Sequence, residues 1–347
     1  MTISQRQIAA KLGISPSTVS RALRAEGRIS PQTRQMIEQA ARELGYDLPT
    51  VSTPAPLERI LVVFLNKWAA NFFGSAVLGM SAAANDRGIR LGTLQTGSYL
   101  SPADFINTTV DPEEYQAVVV GMAGSVDIPL AKLKRLEEEG VTVVLLNRSG
   151  GDVISSVTLD DYAAGETAAH YFYNCGHRRL AYAAGPMTHA SFRRRIAGFT
   201  DACTVLGVYD PELIVNLEQD RIGHLIFSPA VADHLYNRPD PPTAIFVAGD
   251  HVAHDCISAA QERGLNVPED LAVIGFDNTE LAENLDLTSF DFRQFELGQL
   301  AVKLAAELHA GTLQSPVHAA LPPQLILRGS SGKEQVGAAN AVGTIGR

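Results

Sequence analysis

The sequence predicts an α/β protein: a three-helix headpiece, then a larger core of two doubly wound parallel-sheet lobes. Three observations lead there. Residues 1–45 read as three short helices punctuated by glycine. From Arg59 onward, continuous β-branched runs alternate with helical segments, the pattern of parallel strands covered on both faces. Between the two regimes lies DLPTVSTPAP, residues 47–56, whose prolines oppose a helix. A chain of 347 residues has room for two or three sizeable cores.

The headpiece begins with Ser4 and Gln7, a capping-box pair that starts the first helix. Ile8, Ala9 and Leu12 give that helix its apolar side, and Gly13 stops it. Ile14 is the buried residue of the turn. Ser15 caps the second helix and Pro16 takes its first position, where the missing N–H costs nothing. Val19, Ala22 and Leu23 face back onto the first helix, which leaves Ser17, Thr18, Ser20 and Arg21 outward. The third helix starts at Ser30-Pro31, carries an apolar stripe of Met36, Ile37, Ala40, Ala41 and Leu44, and ends at Gly45.

Core strands are expected at 60–65, 89–94, 117–122, 141–147, 179–185, 244–249 and 271–276. Helices are expected at 72–87, 128–140, 165–175, 193–206, 251–263 and 297–310. The tail, 331–347, is rich in Gly and Ala, lacks a leucine heptad and is expected to be disordered.

Hydrophobic residues make up 46% of the chain and charged residues 19%, as in a globular protein. No apolar run approaches a membrane span and no apolar leader precedes the first helix, so a cytoplasmic protein without a membrane partner is expected. Cys175, Cys203 and Cys256 are widely spaced and read as reduced thiols. The net charge is −10, but it is unevenly divided. Residues 1–48 carry seven basic against four acidic side chains, a net +3, which leaves −13 on the rest. A basic module on an acidic body concentrates nucleic-acid affinity at one end. The outward face of the second helix suits that role: hydroxyls at a helix N-terminus donate to phosphate, and Arg21 can reach a guanine edge.

The run GISPSTVSRAL closely resembles the recognition segment of LacI-type bacterial repressors. The resemblance covers residues 2–330 and continues in NFFGSAVLGM, in DD…GHRRLAYAAGP (160–186), in RRRIAGF (193–199), in NVPEDLAVIGFDN (266–278) and in LILRGS. It implies a DNA-binding headpiece over 1–48 and an effector-binding, periplasmic-binding-protein-like core over 59–330. The N-lobe would comprise about 59–160 and 291–322, the C-lobe about 161–290 and 323–330. It implies a homodimer on near-palindromic operator DNA, contacted through Ser15, Pro16, Ser17, Thr18, Ser20, Arg21, Ser30 and Thr33. The linker, 49–58, departs from the family: the N-x-x-A-R-x-L hinge pattern is absent, which puts a minor-groove wedge in doubt.

Ligands of α/β lobes bind beyond the carboxyl ends of strands. The candidates there are Phe72 and Phe73, Asp160 and Asp161, Arg193 and Arg195, Asp250 and Asp277. The phenylalanines either face a ligand or anchor the next helix. Asp160 and Asp161 either touch ligand or cap a helix. Arg193 is the first choice for a direct contact, with an interlobe ion pair as its alternative and a solvated Arg194 beside it. Asp277 can accept two hydroxyl hydrogen bonds. Two further departures from the family are Gly249, where an amide is usual, and Asp291-Phe292, where a basic-Gln pair is usual. A sugar or sugar derivative is the expected effector, the arginines tilt this towards a sugar acid or phosphate, and a nucleobase or a corepressor protein is the alternative. His251, His254 and Asp255 share a helix face without a recognised metal motif, and no cofactor is expected. No P-loop, G-x-S-x-G elbow or dinucleotide fingerprint marks an enzyme. A solute-binding protein fits the core but leaves the headpiece unexplained.

Overall fold

The computed structural model describes residues 4–23, 31–46, 56–64, 74–95, 110–121, 130–220 and 223–332. The chain divides into two compact units, Met1–Pro56 and Leu57–Arg347. The linker residues 47–55, Ser30, Phe72, Phe73 and 333–347 lie outside the described residues.

The first unit contains α1 (Gln5–Leu12), α2 (Pro16–Leu23) and α3 (Pro31–Glu43). Its start follows the sequence closely: the Ser4 N–H donates to Gln7 Oε1 at 2.8 Å. Gly13 takes φ +66°, which lets its N–H reach the Ala9 carbonyl and end α1. Ile8, Val19, Ile37 and Ala41 are fully buried and hold the three helices together, with Leu12, Ile14, Leu44 and Tyr46 packed around them. Lys11 Nζ pairs with Glu43 at 2.7 Å between exposed side chains, a contact worth little by itself. One expectation fails. Met36 is 46% exposed, because Ile37, Ala40 and Ala41 already fill the narrow apolar side of α3.

The second unit holds two six-stranded sheets. The first runs β13-β5-β4-β3-β1-β2 and is wholly parallel. Its strands are β1 (Arg59–Phe64), β2 (Arg90–Gln95), β3 (Ala117–Gly121), β4 (Thr142–Leu146), β5 (Ser155–Leu159) and β13 (His318–Leu321). The second runs β14-β12-β11-β10-β6-β7, parallel except for β14. Its strands are β6 (Leu180–Ala184), β7 (Ile214–Asn216), β10 (Ala244–Val247), β11 (Ala272–Asp277), β12 (Thr288–Asp291) and β14 (Gln324–Ile326). A small antiparallel pair, β8 (Glu218–Gln219) and β9 (Leu225–Ile226), lies outside both. The chain passes from one sheet to the other three times: after β5, after β12, and between β13 and β14.

Burial on both faces explains the strand sequences. In β1, Ile60, Val62 and Phe64 join the cluster that contains Ala76 and Met80 of α4 (Gly74–Asn85). The alternate residues Leu61 and Val63 join Leu133 and Leu136 of α5 (Leu130–Glu138). In the second sheet, Tyr182, Phe246 and Phe276 share a cluster with Phe172 of α6 (Asp161–Asn174) and Phe199 of α7 (Ala190–Val205). Ala181, Ile245 and Val273 face α8 (Pro229–Tyr236) and α9 (Asp250–Gln261) instead. Such strands read as unbroken apolar runs.

The remaining helices are α10 (Glu280–Asn284) and α11 (Gln294–His309). Each lobe has a helix pair pressed together at glycine. In the first lobe a Cβ on Gly79 would overlap the Phe295 carbonyl, and one on Gly298 would overlap the Ala76 carbonyl. In the second, Gly165 meets the Arg195 carbonyl and Gly198 the Tyr162 carbonyl in the same way. The order of the C-terminus extends past the expected limit. Ser331 is buried, its hydroxyl 2.7 Å from Thr288 Oγ1 and 3.1 Å from Tyr171 Oη.

Candidate functional site

The headpiece presents a compact cluster of hydroxyls at the N-terminus of α2. Ser15 Oγ accepts the Thr18 N–H at 3.1 Å, the cap that starts the helix. The same oxygen lies 2.7 Å from Ser17 Oγ and 2.8 Å from Thr18 Oγ1. Ser15, Pro16 and Ser17 are exposed, while Thr18 and Ser20 are half-buried. Val19 on the opposite side is fully buried and fixes the rotation of the helix. Arg21 belongs to α2, one turn beyond the cap, and Thr33 to the first turn of α3. The first turn of α2 thus gathers three hydroxyls on one surface at a helix N-terminus, an arrangement that suits a phosphate backbone.

In the core, Asp160, Asp161, Arg193, Arg195, Asp250 and Asp277 lie at strand ends and at the starts of α6, α7 and α9, while Phe72 and Phe73 lie outside the described residues. Backbone strain concentrates there as well. Asp277 and Asn278 at the end of β11 take φ +103° and +49°, and Arg293 after β12 takes φ +50°. Non-glycine residues held in this region cost about 1–3 kcal/mol each and often mark functional loops.

The three arginines of 193–195 separate sharply. Arg195 is 3% exposed, and its guanidinium donates to Asp161 Oδ1 from Nε at 3.2 Å and from Nη2 at 2.8 Å. Its Nη1 donates to the Ala248 carbonyl at 3.2 Å, and its plane lies 3.3 Å from the Phe276 ring centre. Burial raises the Asp161 pKa against the pull of Arg195. Burial is the largest single influence on Arg195 and opposes its charge, but Asp161, Tyr182 and Asp277 together hold that pKa above its ordinary value. Arg194 is exposed and lies 3.5 Å from Asp160. Arg193 is exposed too, and its Nη1 donates to the Met187 carbonyl at 2.6 Å. The first-choice contact therefore has one guanidinium nitrogen on a backbone carbonyl, and the buried arginine is its neighbour two residues on. Helical phase could have shown this, since Arg195 stands one turn before the fully buried Phe199.

The aspartates divide as well. Asp160 caps α6, accepting the Ala163 N–H at 3.2 Å. Asp250 is 1% exposed and has both oxygens occupied: Oδ1 accepts Ser289 Oγ at 2.6 Å, and Oδ2 accepts the Thr279 N–H at 2.8 Å and its hydroxyl at 2.9 Å. It ties α9 to β12 and α10. Burial raises its pKa, while the bonds from Ser289 and Thr279 lower it. Asp277 is different. It is half-buried, and no hydrogen bond reaches its carboxylate from the described residues. Burial and the nearby Asp250 push its pKa up to about 8, against the opposing charge of Arg195.

Residues not foreseen complete this surface. Asn278 donates to Asp291 Oδ2 at 3.2 Å and accepts from Arg328 Nη2 at 2.8 Å, linking the ends of β11 and β12 to the returning chain. Phe292, one of the departures noted in the sequence, is buried against Phe276. Tyr182 is fully buried between Phe199 and Phe246, and its hydroxyl has no partner among the described residues. Burial raises its pKa. His254 pairs with Asp255 at 3.1 Å on an exposed face, and the described residues hold no cluster suited to a metal. No helix among them is long and apolar enough to cross a membrane.

Comparison with known proteins agrees with this geometry. The model for bacterial regulatory proteins of the lacI family matches residues 6–47, and the periplasmic binding protein-like domain matches 169–331. Among curated relatives, the transcriptional repressor CytR of Escherichia coli K12 is 27% identical, with 94% of this chain and 96% of that protein covered. The regulator MalR of Streptomyces coelicolor is 29% identical, with 95% and 97% covered. A solved complex of the transcriptional regulator CelR with cellobiose superposes with a TM-score of 0.66 at 26% identity, covering 94% of this chain and 99% of that one. The lac repressor dimer bound to operator and an anti-inducer superposes at 0.65 with 21% identity, covering 96% and 100%, which shows the shared fold. The chain thus carries a headpiece that matches the lacI family of bacterial regulatory proteins and a periplasmic-binding-protein-like core, and over nearly its whole length it is similar to transcriptional regulators with that arrangement.

Proposed function

We propose that this protein is a transcriptional repressor that binds operator DNA through its headpiece as a homodimer, under the control of a small effector held between the two core lobes. The observation that carries the reading is the joint presence of two surfaces. One is the capped, hydroxyl-rich N-terminus of α2 on a basic headpiece. The other is a strained, polar strand-end surface in a core whose chain passes three times between lobes. Three connections allow the lobes to rotate together without losing register, the two-state element that effector control requires.

Ser15, Pro16, Ser17, Thr18, Ser20, Arg21, Ser30 and Thr33 carry the DNA contacts in this reading. The dimer reads two half-sites, so the operator is near-palindromic. A sugar or sugar derivative is the effector, a reading supported by the cellobiose complex of a similar regulator. Asp277 is its principal acceptor and Arg195 lines the same surface, with Asp160, Asp161, Arg193, Phe72 and Phe73 as further candidate contacts. The protein works in the cytoplasm and without catalysis. The linker lacks the usual hinge pattern, so specificity rests mainly on the major-groove helix.

Selection of bound duplexes from a random double-stranded library tests this. Enrichment of a near-palindromic site is the expected outcome. Recovery of no enriched sequence, from folded protein at low salt, would contradict it.

A further inference from the structure

Asp291 stands where the family usually has a basic residue, and both of its oxygens accept hydrogen bonds. Oδ1 takes the Arg293 N–H at 2.6 Å, and Oδ2 takes Asn278 Nδ2 at 3.2 Å. A lysine or arginine side chain has donors only and can form neither bond. Asp291 is also the register partner of Asp277 across β11 and β12, and of Gln324 on β14. It sits where the end of β11 meets the chain that leaves for the first lobe.

The Asn278 side chain is held at both ends. Its Oδ1 accepts Arg328 Nη2 at 2.8 Å while its Nδ2 donates to Asp291, so the amide has one orientation. Its backbone N–H donates to Ser289 Oγ at 3.1 Å. These bonds hold the left-handed backbone of Asp277 and Asn278, and the Asp291 carboxylate holds that of Arg293. Arg328 is anchored in turn, its Nη1 donating to the Leu287 carbonyl at 2.8 Å.

The network reaches all three connections between the lobes. Arg293 lies in the second, two residues after β12, and its Nη1 donates to the Pro322 carbonyl of the third at 3.4 Å. Leu321, where the third begins, accepts the Asp160 N–H of the first at 2.8 Å.

We propose that Asn278 and Asp291 are positioning residues: they clasp the end of β11, which carries Asp277, to the interlobe crossover and so set the angle between the lobes. The regulatory consequence rests on the effector control proposed above. A ligand that engages Asp277 then acts on the lobe angle through two hydrogen-bonded side chains, the two-state element that such control needs.

The test is a swap that keeps the three side-chain bonds and reverses one donor. In Asn278→Asp combined with Asp291→Asn, the carboxylate at 278 accepts from Arg328 and from the amide at 291, whose oxygen accepts the Arg293 N–H. Asn278→Asp alone sets two carboxylates against each other. The lobe angle is read in the full chain as the distance distribution between nitroxides carried on a keto amino acid at Glu138, exposed in the first lobe, and at Val205, 84% exposed in the second. One narrow distribution is expected with the native clasp, a broadened or displaced one in Asn278→Asp, and the native one again in the swap, each chain melting cooperatively. Asn278→Ala removes both side-chain bonds without adding charge and should displace the distribution as well. Operator affinity should change by about fivefold or more in Asn278→Asp and return in the swap. An unaltered distribution in Asn278→Asp and Asn278→Ala, or a folded swap that fails to restore it, would overturn the clasp. A distribution that is displaced and restored while operator affinity stays constant would uphold the clasp and contradict lobe control of the headpiece, so the two readings fail separately.

Discussion

The two lobes of the core use one packing device for different ends. In the first lobe, α4 and α11 cross at Gly79 and Gly298, and everything they bury near the crossing is apolar: Ala76, Met80, Leu297 and Ala301. In the second, α6 and α7 cross at Gly165 and Gly198 with the same reciprocal fit to backbone carbonyls. Here the crossing also encloses the Asp161–Arg195 pair, stacked on Phe276 below the end of β11. Close helix approach is thus a requirement of the fold, whereas the buried ion pair is an addition of one lobe. Buried ion pairs are weak sources of stability, because desolvation offsets their attraction. Its placement under Asp277 points to orientation of the strand-end surface as its role.

The comparison can be broken at the glycines first. Gly298→Val and Gly165→Val each drive a side chain into a backbone carbonyl that cannot retreat. Each should cost about 4 kcal/mol or more by urea denaturation, at the severe end for single substitutions. If either is tolerated within about 1 kcal/mol, the crossings are less tight than described.

The ion pair comes next and should affect only the second lobe. Asp161→Ala leaves Arg195 buried without its partner and should destabilise by about 3–5 kcal/mol. Replacing both together, as Asp161→Leu with Arg195→Met, should recover much of the loss in a denaturation experiment. The double variant should still fail to bind effector. Normal effector binding by it would make the pair purely structural.

Asp277 gives a smaller, pH-dependent effect. Its carboxyl holds its proton up to about pH 8 in the folded chain, against an ordinary value of 3.8. A carboxyl with a raised folded pKa favours folding while protonated in both states, so its contribution falls as pH rises from about 4 to about 8. Asp277→Asn removes that penalty. It should change stability little at pH 4 and raise it by roughly 2 kcal/mol at pH 8, after allowance for the partial exposure of the group. Melting curves across that range check the sign, and a variant less stable at pH 8 would refute it.

Much of this architecture is legible in the residues. ILVVF and AVVVG announce strands covered on both faces, and Ser15-Pro16 and Gly13 fix the turn of the headpiece. Strands of three or four residues carry too few side chains for a period, so β7, β12, β13 and β14 go unforeseen. The helix α8 goes unforeseen although Ser228-Pro229 repeats the capping signature of Ser15-Pro16, and its hydroxyl does accept the Val231 N–H at 3.3 Å. The site is harder to read. Asp250 and Asp277 look alike in sequence, both at strand ends. Their difference comes from Ser289 and Thr279, distant in the chain, which bond one and not the other. Only assembly of β11, β12 and α9 decides which carboxylate is left for a ligand.

The most direct test of the functional reading lies in the headpiece, at one side chain. The selected operator duplex should be titrated by fluorescence anisotropy with the full chain and with Arg21→Ala, at one fixed salt concentration and with the core's melting temperature recorded alongside. Loss of about 1–3 kcal/mol of specific binding, with an unchanged melting temperature, is the expected result for an arginine reading a base edge. Equal operator affinity in the two proteins would contradict the assignment of α2 as the helix that reads DNA.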